Sequence, residues 1–424
     1  MKRYALTVVF LLTVGFCFGQ GLVGVNELYV GPQIGGTRAL AMGGAYTAVN
    51  KGIDALSGNP AGLVNLETAQ FLGGARLRFS GTSKYEDSYY DDDEYYEDFS
   101  RKFKLNPKVL NLGVAFPINV SGFENKVVGA VGYRSVYDYS NKVQTEYKYE
   151  TGNYESTTTV KGLINYLSLG LGTQVGEKMS LGFSFNLPMM KGLKREFESK
   201  DKGEVDTDTY ESEREYDVSG GNFVQFGGIL QLSPELGIGA SYMTSHSFKV
   251  GKEKWKTNDN GVKNNGKSKE EDKIEMPGFY SLGLSYKFSP ELLLSAEIQN
   301  RPWESIEVDG EEIEDVENGS AYRVGFEYSS TFLLRGGFVM ERLPMVDEDL
   351  DPVNAKWITA GIGTELNNML LDITAAYRFA SYSEEILVWD PNTFDYETKS
   401  YDYKINELVF YATLRYAFDF KIDL

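Results

Sequence analysis

Leu408-Val409-Phe410-Tyr411-Ala412-Thr413-Leu414-Arg415-Tyr416-Ala417-Phe418-Asp419-Phe420-Lys421-Ile422-Asp423-Leu424 ends the chain, and every even-numbered residue in it is apolar. The odd positions from Thr413 onward are polar or small: Thr413, Arg415, Ala417, Asp419, Lys421 and Asp423. A period of two gives a β-strand one greasy face and one wet face. Such a strand at the end of a chain is what a transmembrane β-barrel needs to close against its first strand. An open edge in hydrocarbon would leave backbone N–H and C=O groups unpaired, at several kcal/mol each. The segment predicts an outer-membrane barrel strand over 406–424.

The other end of the chain agrees. Lys2 and Arg3 precede an apolar run over 5–18 that stops at Gly19-Gln20-Gly21. This reads as a secretory signal peptide over 1–20, too short for a membrane anchor. The single cysteine, Cys17, falls inside it and follows Phe16, where a lipidated cysteine needs a small residue. The mature chain then has no thiol for disulfides or nucleophilic chemistry. Mean hydropathy is −0.32. That value would suit a soluble protein, but alternation along barrel strands hides their hydrophobicity. The 29 tyrosines and 25 phenylalanines suit aromatic girdles. The formal charge of −19, or −21 without Lys2 and Arg3, argues against nucleic acid as a partner.

Period-two segments recur at 69–80, 109–118, 126–139, 157–174, 179–190, 219–232, 236–250, 279–288, 291–301, 321–329, 331–341, 357–366, 369–382 and 406–424. Outward sets are clear in several. Leu292, Leu294, Ala296 and Ile298 oppose Ser295, Glu297 and Gln299; Leu371, Ile373, Ala375, Tyr377 and Phe379 oppose Asp372, Thr374, Ala376 and Arg378. Short turns such as Gly176-Glu177-Lys178, Ser233-Pro234-Glu235 and Asn367-Asn368 alternate with long polar loops at 81–108, 140–156, 191–218, 251–278, 302–320, 342–356 and 383–405. Short turns at one end and long loops at the other are the periplasmic and extracellular ends of a barrel. The expected fold is all-β: a 14-stranded antiparallel transmembrane β-barrel over 69–424, with both termini in the periplasm. The loop at 251–275, mixed in charge and rich in Asn, Gly and Lys, reads as mobile. A soluble two-sheet sandwich would also alternate, but it leaves the leader and the loop asymmetry unexplained.

Residues 21–68 do not read as strand. Thr37 is expected to cap a short helix through Ala39, Leu40, Met42, Ala45 and Ala48. The rest is rich in Gly and Ala, which lets backbone pack closely. A barrel of this size has an interior too wide for side chains alone to fill. The segment therefore reads as an N-terminal plug, with Asn59 and Pro60 in a tight turn near the third strand. Gly36-Thr37-Arg38-Ala39-Leu40-Ala41-Met42-Gly43-Gly44-Ala45-Tyr46-Thr47-Ala48-Val49, followed by Ala55-Leu56-Ser57-Gly58-Asn59-Pro60-Ala61-Gly62-Leu63, resembles the plug signature of the FadL superfamily. That superfamily includes long-chain fatty acid transporters, aromatic hydrocarbon channels and PorV-type barrels of the type IX secretion system. The sequence departs from its pattern at Lys51-Gly52, where an acidic pair is common, and at Gly58, where an aromatic is frequent. The resemblance implies a plug, with Asn59, Pro60, Ala61 and Gly62 at its core, that blocks straight passage. It also implies ligand entry from outside, an internal pocket and lateral exit at a kinked third strand. Gly129 and Gly132 are the candidate gate residues in that strand, because glycine permits a bend or a close approach. They could equally make room for the plug.

Arg76, Arg78, Arg134, Arg323, Arg335, Arg378 and Arg415 fall on inward positions, as do Glu297, Glu327, Glu341, Glu365 and Asp372. One reading is an ion-pair network that supports the plug. The other is a site for a ligand carboxylate, with Arg134, Arg335 and Arg378 as candidates, since guanidinium matches carboxylate geometry. Acidic runs at 86–98 and 304–317 read as solvated loops, with clustered oxygen ligands for calcium as the sharper alternative. His246 is the only histidine. Nothing gathers a catalytic triad, a metal site or a phosphate loop, so the chain reads as a non-enzyme without a cofactor or metal. The expected function is transport of hydrophobic small molecules, long-chain fatty acids or neutral hydrocarbons, by a monomer embedded in outer-membrane lipid. The alternative is a PorV-like barrel that handles secreted protein cargo, which the long polar loops suit. A structural or adhesive surface barrel is a third.

Overall fold

The computed structural model describes residues 36–80, 106–122, 124–138, 141–149, 152–189, 192–202, 207–313, 316–346, 351–390 and 395–423. One sheet of fifteen strands includes the two-residue strand Ile422–Asp423; the other fourteen form a closed ring. They are β1 (Ala69–Ser80), β2 (Asn106–Asn119), β3 (Val127–Asp138), β4 (Leu163–Val175), β5 (Met179–Met189), β6 (Phe223–Gln231) and β7 (Leu236–Met243). They continue as β8 (Phe279–Lys287), β9 (Leu292–Arg301), β10 (Gly319–Ser329), β11 (Leu333–Val346), β12 (Pro352–Leu366), β13 (Met369–Asp390) and β14 (Asp395–Phe418). Each pairs antiparallel with its neighbours in the chain, and β1 pairs with both β2 and β14. Closure leaves no long edge in the hydrocarbon.

The alternation does what the sequence asked of it. Along β8, Tyr280, Leu282, Leu284 and Tyr286 turn outward, while Phe279, Ser281, Gly283 and Ser285 turn in. Leu414 and Tyr416 of β14 face out, and Thr413 and Arg415 are buried. The short turns carry their own bracing: Leu236 N–H donates to Ser233 Oγ (3.1 Å) and Leu292 N–H to Ser289 Oγ (3.1 Å).

Three expectations change. The last strand stops at Phe418, not at 424. Residues Phe116–Asn119 of β2 reach beyond the start of β1, because Gln70 lies opposite Ala115. The tail passes under β1 and covers that bare edge, pairing Ile422 with Ile118 and Asp423 with Asn119 in parallel. Phe420 meets Phe116 edge-on at 5.9 Å.

Three of the segments read as loops, 140–156, 191–218 and 251–278, are instead largely strand, and most of 383–405 belongs to β13 and β14, which run past the expected strand ends. A second sheet of nine strands contains Asn141–Tyr149, Gly152–Lys161, Leu193–Lys202, Thr207–Gly220, His246–Asp259, Val262–Lys267, Glu271–Met276, Glu307–Val308 and Glu311–Glu312. It stands on the long-loop end of β3–β10. Its polarity concealed it. Glu196 stands directly opposite Glu213, and Lys194 Nζ lies between them at 3.1 and 2.9 Å. Such cross-strand charge pairs support a sheet that sequence patterning takes for solvated loop. Where this sheet meets the barrel, Val160, Leu193, Tyr216, Phe248, Val250 and Ile274 pack on Tyr137, Tyr166, Phe223 and Phe279 under Trp303 and Ile306.

The plug helix, α1 (Thr37–Ala41), is shorter than expected. Gly36 occupies the N-cap and Thr37 is the first helical residue. Gly43 and Gly44, at φ of 65° and 76°, end the helix in the left-handed region that favours glycine. Two six-residue 3₁₀ helices, Gly52–Ser57 and Pro60–Asn65, complete the described plug.

Candidate functional site

The plug sits directly against wall backbone. A Cβ on Gly182 of β5 would collide with Pro60, on Gly227 of β6 with Asn59, on Gly239 of β7 with Thr47, and on Gly325 and Gly337 of β10 and β11 with Met42 and Gly43. Asn59 is fully buried and ties the two parts together. Its Nδ2 donates to the carbonyls of Thr47 (2.7 Å), Gly228 (3.1 Å) and Ala240 (3.3 Å), and its Oδ1 accepts from Ala61 N–H (3.1 Å). Asn59 therefore seats on β6–β7 and Pro60 on β4–β6, so the turn lies past the third strand. The barrel leaves side-chain-free seats on that side, which only the folded ring brings to one level.

Charge closes a loop through plug and wall. Arg38 grips Glu327 with Nε and Nη2 at 2.7 and 2.9 Å. Arg335 bridges Glu327 and Asp372 at 2.6 Å each, Asp372 meets Arg415, and Arg415 returns to Asp54 of the plug at 3.0 Å. Arg378 lies between Glu341 (3.6 Å) and Glu407 (3.7 Å), over the Trp357 ring. Arg335 and Arg378, two of the three candidate carboxylate binders, are thus already matched by acids of the wall.

Arg134 differs. It is 4 % exposed, and its hydrogen bonds go to neutral groups: Ser168 Oγ (3.1 Å), Asn186 Oδ1 (3.1 Å) and the Ser57 carbonyl (3.4 Å). It lines a small recess between plug and wall, open at its mouth. Ile53, Leu56 and Leu72 supply apolar lining. Asp54 also borders it, engaged by Arg415.

The wall of this pocket is thin. Gly113 of β2 stands directly opposite Gly132 of β3, and the outward Leu112 and Tyr133 flank the pair. A Cβ on Gly132 would meet Leu56 at 2.7 Å, and one on Gly113 would meet Ile53 at 2.9 Å. Gly129 has the opposite parity. It lies beneath Ile118 and Phe116 on the outer face. The β2–β3 ladder runs unbroken past both glycines. The irregularity in β3 is a bulge at Val136, between Ser135 and Tyr137.

The family model described as "Outer membrane protein transport protein (OMPP1/FadL/TodX)" matches residues 30–420. The chain belongs to the FadL/TodX family. As a member, it is an outer-membrane transport protein and not an enzyme. Among solved structures, a Pseudomonas aeruginosa FadL homologue aligns at 12% identity and TM-score 0.56, covering 91% of this chain and 98% of that one. The CymD monoaromatic hydrocarbon channel aligns at 15% and 0.54, covering 92% and 99%. The Pseudomonas putida toluene transporter TodX aligns at 14% and 0.54, covering 90% and 99%. At these identities the likeness is one of fold. No curated protein sequence matches the chain.

Sequence reasoning named Arg134 but missed the groups that hold it. Ser168, Ser184 and Asn186 sit on inward positions of β4 and β5, which a count of alternate residues could have picked out as polar in a fully enclosed layer. Of the two acidic runs, 86–98 lies outside the described residues. In the other, Glu304 is occupied by Asn318, accepting from its backbone N–H (3.1 Å) and Nδ2 (2.7 Å). Among the described residues no acids gather for a cation.

Proposed function

We propose that this FadL/TodX-family protein takes up hydrophobic small molecules by facilitated diffusion, holding them in the Arg134 pocket and releasing them sideways past Gly132. The observation that carries this reading is the pocket itself: an apolar lining of Ile53, Leu56 and Leu72, one buried arginine on neutral partners, and a wall reduced to a glycine pair. The seated plug supports lateral release over straight passage, since its backbone is in contact with the wall on many sides. Of the two ligand classes, long-chain fatty acids and neutral hydrocarbons, the unmatched guanidinium favours the acids. Two neighbours of this fold, a monoaromatic hydrocarbon channel and a toluene transporter, belong by their ligands to the neutral class. The test is uptake of labelled fatty acids and alkylbenzenes by cells with and without the protein. Uptake of either class that depends on the protein supports the reading. Independence of both ends it.

The nine-stranded extracellular sheet favours a second reading, a PorV-like barrel that handles secreted cargo at the surface. Co-purification of a secreted protein with that sheet, lost when the hairpin over 193–220 is shortened, would replace the first reading.

A further inference from the structure

We infer that two neutral amides, Asn111 and Asn186, set the charge selectivity of the Arg134 pocket by leaving its arginine to be matched by the ligand. The inference rests on the reading of that pocket as the ligand site. It comes from a comparison of arginines around the lumen. Arg323 of β10 stands directly opposite Glu297 of β9, Arg335 of β11 opposite Glu327 of β10, and Arg378 of β13 opposite Glu407 of β14. Each has a carboxylate at the facing position of a neighbouring strand. Arg134 of β3 faces Asn111 on β2 and Tyr166 on β4. Among the described residues no acid lies within ion-pair distance of it.

The amides keep it that way by different means. Asn111 lines the pocket beside Arg134, at the position where Arg323, Arg335 and Arg378 meet a carboxylate. Asn186 holds the guanidinium. Its Oδ1 accepts from Arg134 Nη2 (3.1 Å) and from Ser168 Oγ (2.6 Å). Its Nδ2 donates to Ser184 Oγ (3.1 Å) and to the carbonyls of Ser184 (3.3 Å) and Phe223 (3.4 Å). Those acceptors orient the amide with oxygen toward the arginine. A buried charge without a counter-charge is unfavourable. A ligand that brings a single negative charge on an apolar tail relieves that imbalance; a neutral ligand of the same length does not. Asn111 is therefore a specificity-determining residue and Asn186 a positioning residue.

The experiment measures binding of hexadecanoate and of hexadecan-1-ol to the full-length protein in neutral detergent, near about pH 8 so that the acid is ionised. The wild type is expected to prefer the carboxylate by about tenfold or more. Asn111→Asp places a carboxylate opposite Arg134, as at Arg323, Arg335 and Arg378, and should erase that preference while alcohol binding changes by no more than about twofold. Asn111→Ser, neutral again, should keep the preference. Asn186→Asp is the second variant, read the same way if Asn111→Asp does not assemble a heat-modifiable barrel. Retained binding of both ligands with an unchanged ratio in the aspartate variants overturns the inference and leaves the pocket reading intact. Equal binding of acid and alcohol by the wild type also overturns it. Failure of the wild type to bind either ligand overturns the pocket reading and this inference together.

Discussion

Arg38 of the plug and Glu327 of the barrel form a two-pronged ion pair, with Nε–Oε2 at 2.7 Å and Nη2–Oε1 at 2.9 Å, both side chains buried. The pair is the first link of the loop that returns to the plug at Asp54. Removing Arg38 leaves Glu327 with Arg335 as its remaining partner (2.6 Å), so the loss is below the about 3–5 kcal/mol of a fully stranded buried charge. Arg38→Met should loosen plug docking, seen as faster amide exchange over 37–66 and raised conductance in planar bilayers. The double variant Arg38→Met with Glu327→Leu should be at least as damaging as Arg38→Met alone, because it also takes from Arg335 one of its two carboxylates.

Asn59 makes three donations to carbonyls and one acceptance, all in a layer closed to water. Asn59→Ala removes the amide that joins the Thr47 carbonyl of the plug to β6 and β7, and a carbonyl left without a donor in a dry layer costs about 1–3 kcal/mol. Passive leakage of small solutes should rise. Gly227→Val should produce the same leak from the wall side, since a Cβ there occupies the place of Asn59 Oδ1. Unchanged conductance in both variants would remove Asn59 from any sealing role.

Gly132 and Gly129 lie three residues apart in β3 and so face opposite ways. Gly132→Val fills the pocket side against Leu56. It should cut ligand uptake by about tenfold while leaving the barrel folded. Gly129→Val meets only Ile118 and Phe116 on the outer face and should leave uptake near wild type. Equal loss in both variants would count against a route at Gly132.

His246 sits in the core beneath the extracellular sheet. Its Nδ1 donates to the Thr244 carbonyl (3.3 Å), so its Nε2 accepts from the Tyr137 hydroxyl (3.0 Å). Burial lowers its pKa from 6.5 to about 4. Between those values the unfolded chain binds more protons than the folded one, so the contribution is full above the upper value and lost as pH falls toward the lower. At most it amounts to about 3 kcal/mol. Amide exchange at Tyr137, Tyr166 and Phe248, corrected for intrinsic rates, should accelerate in acid across that window. In His246→Phe the acceleration should vanish.

The barrel was legible because its rule is local. Leu414 and Tyr416 must face one way and Thr413 and Arg415 the other, whatever the strands beside them. The lumen arginines were legible for the same reason, as inward parity is a property of a single strand. The extracellular sheet was not. Its strands carry Glu and Lys on paired faces, and only the neighbour decides whether Lys194 is a solvated charge or a bridge between Glu196 and Glu213.

By itself, then, the sequence determined the number of barrel strands, the face each barrel residue presents, and the Gly- and Ala-rich segment destined for the interior. Period-two alternation and turn chemistry need no knowledge of partners. Tertiary structure alone decided which arginine stays unmatched. Arg134, Arg335 and Arg378 are alike in sequence, and what separates them is the residue across the ladder: Asn111 for the first, Glu327 and Glu407 for the others. Register brings those residues together across up to 29 positions of chain, and register is set when the ring closes.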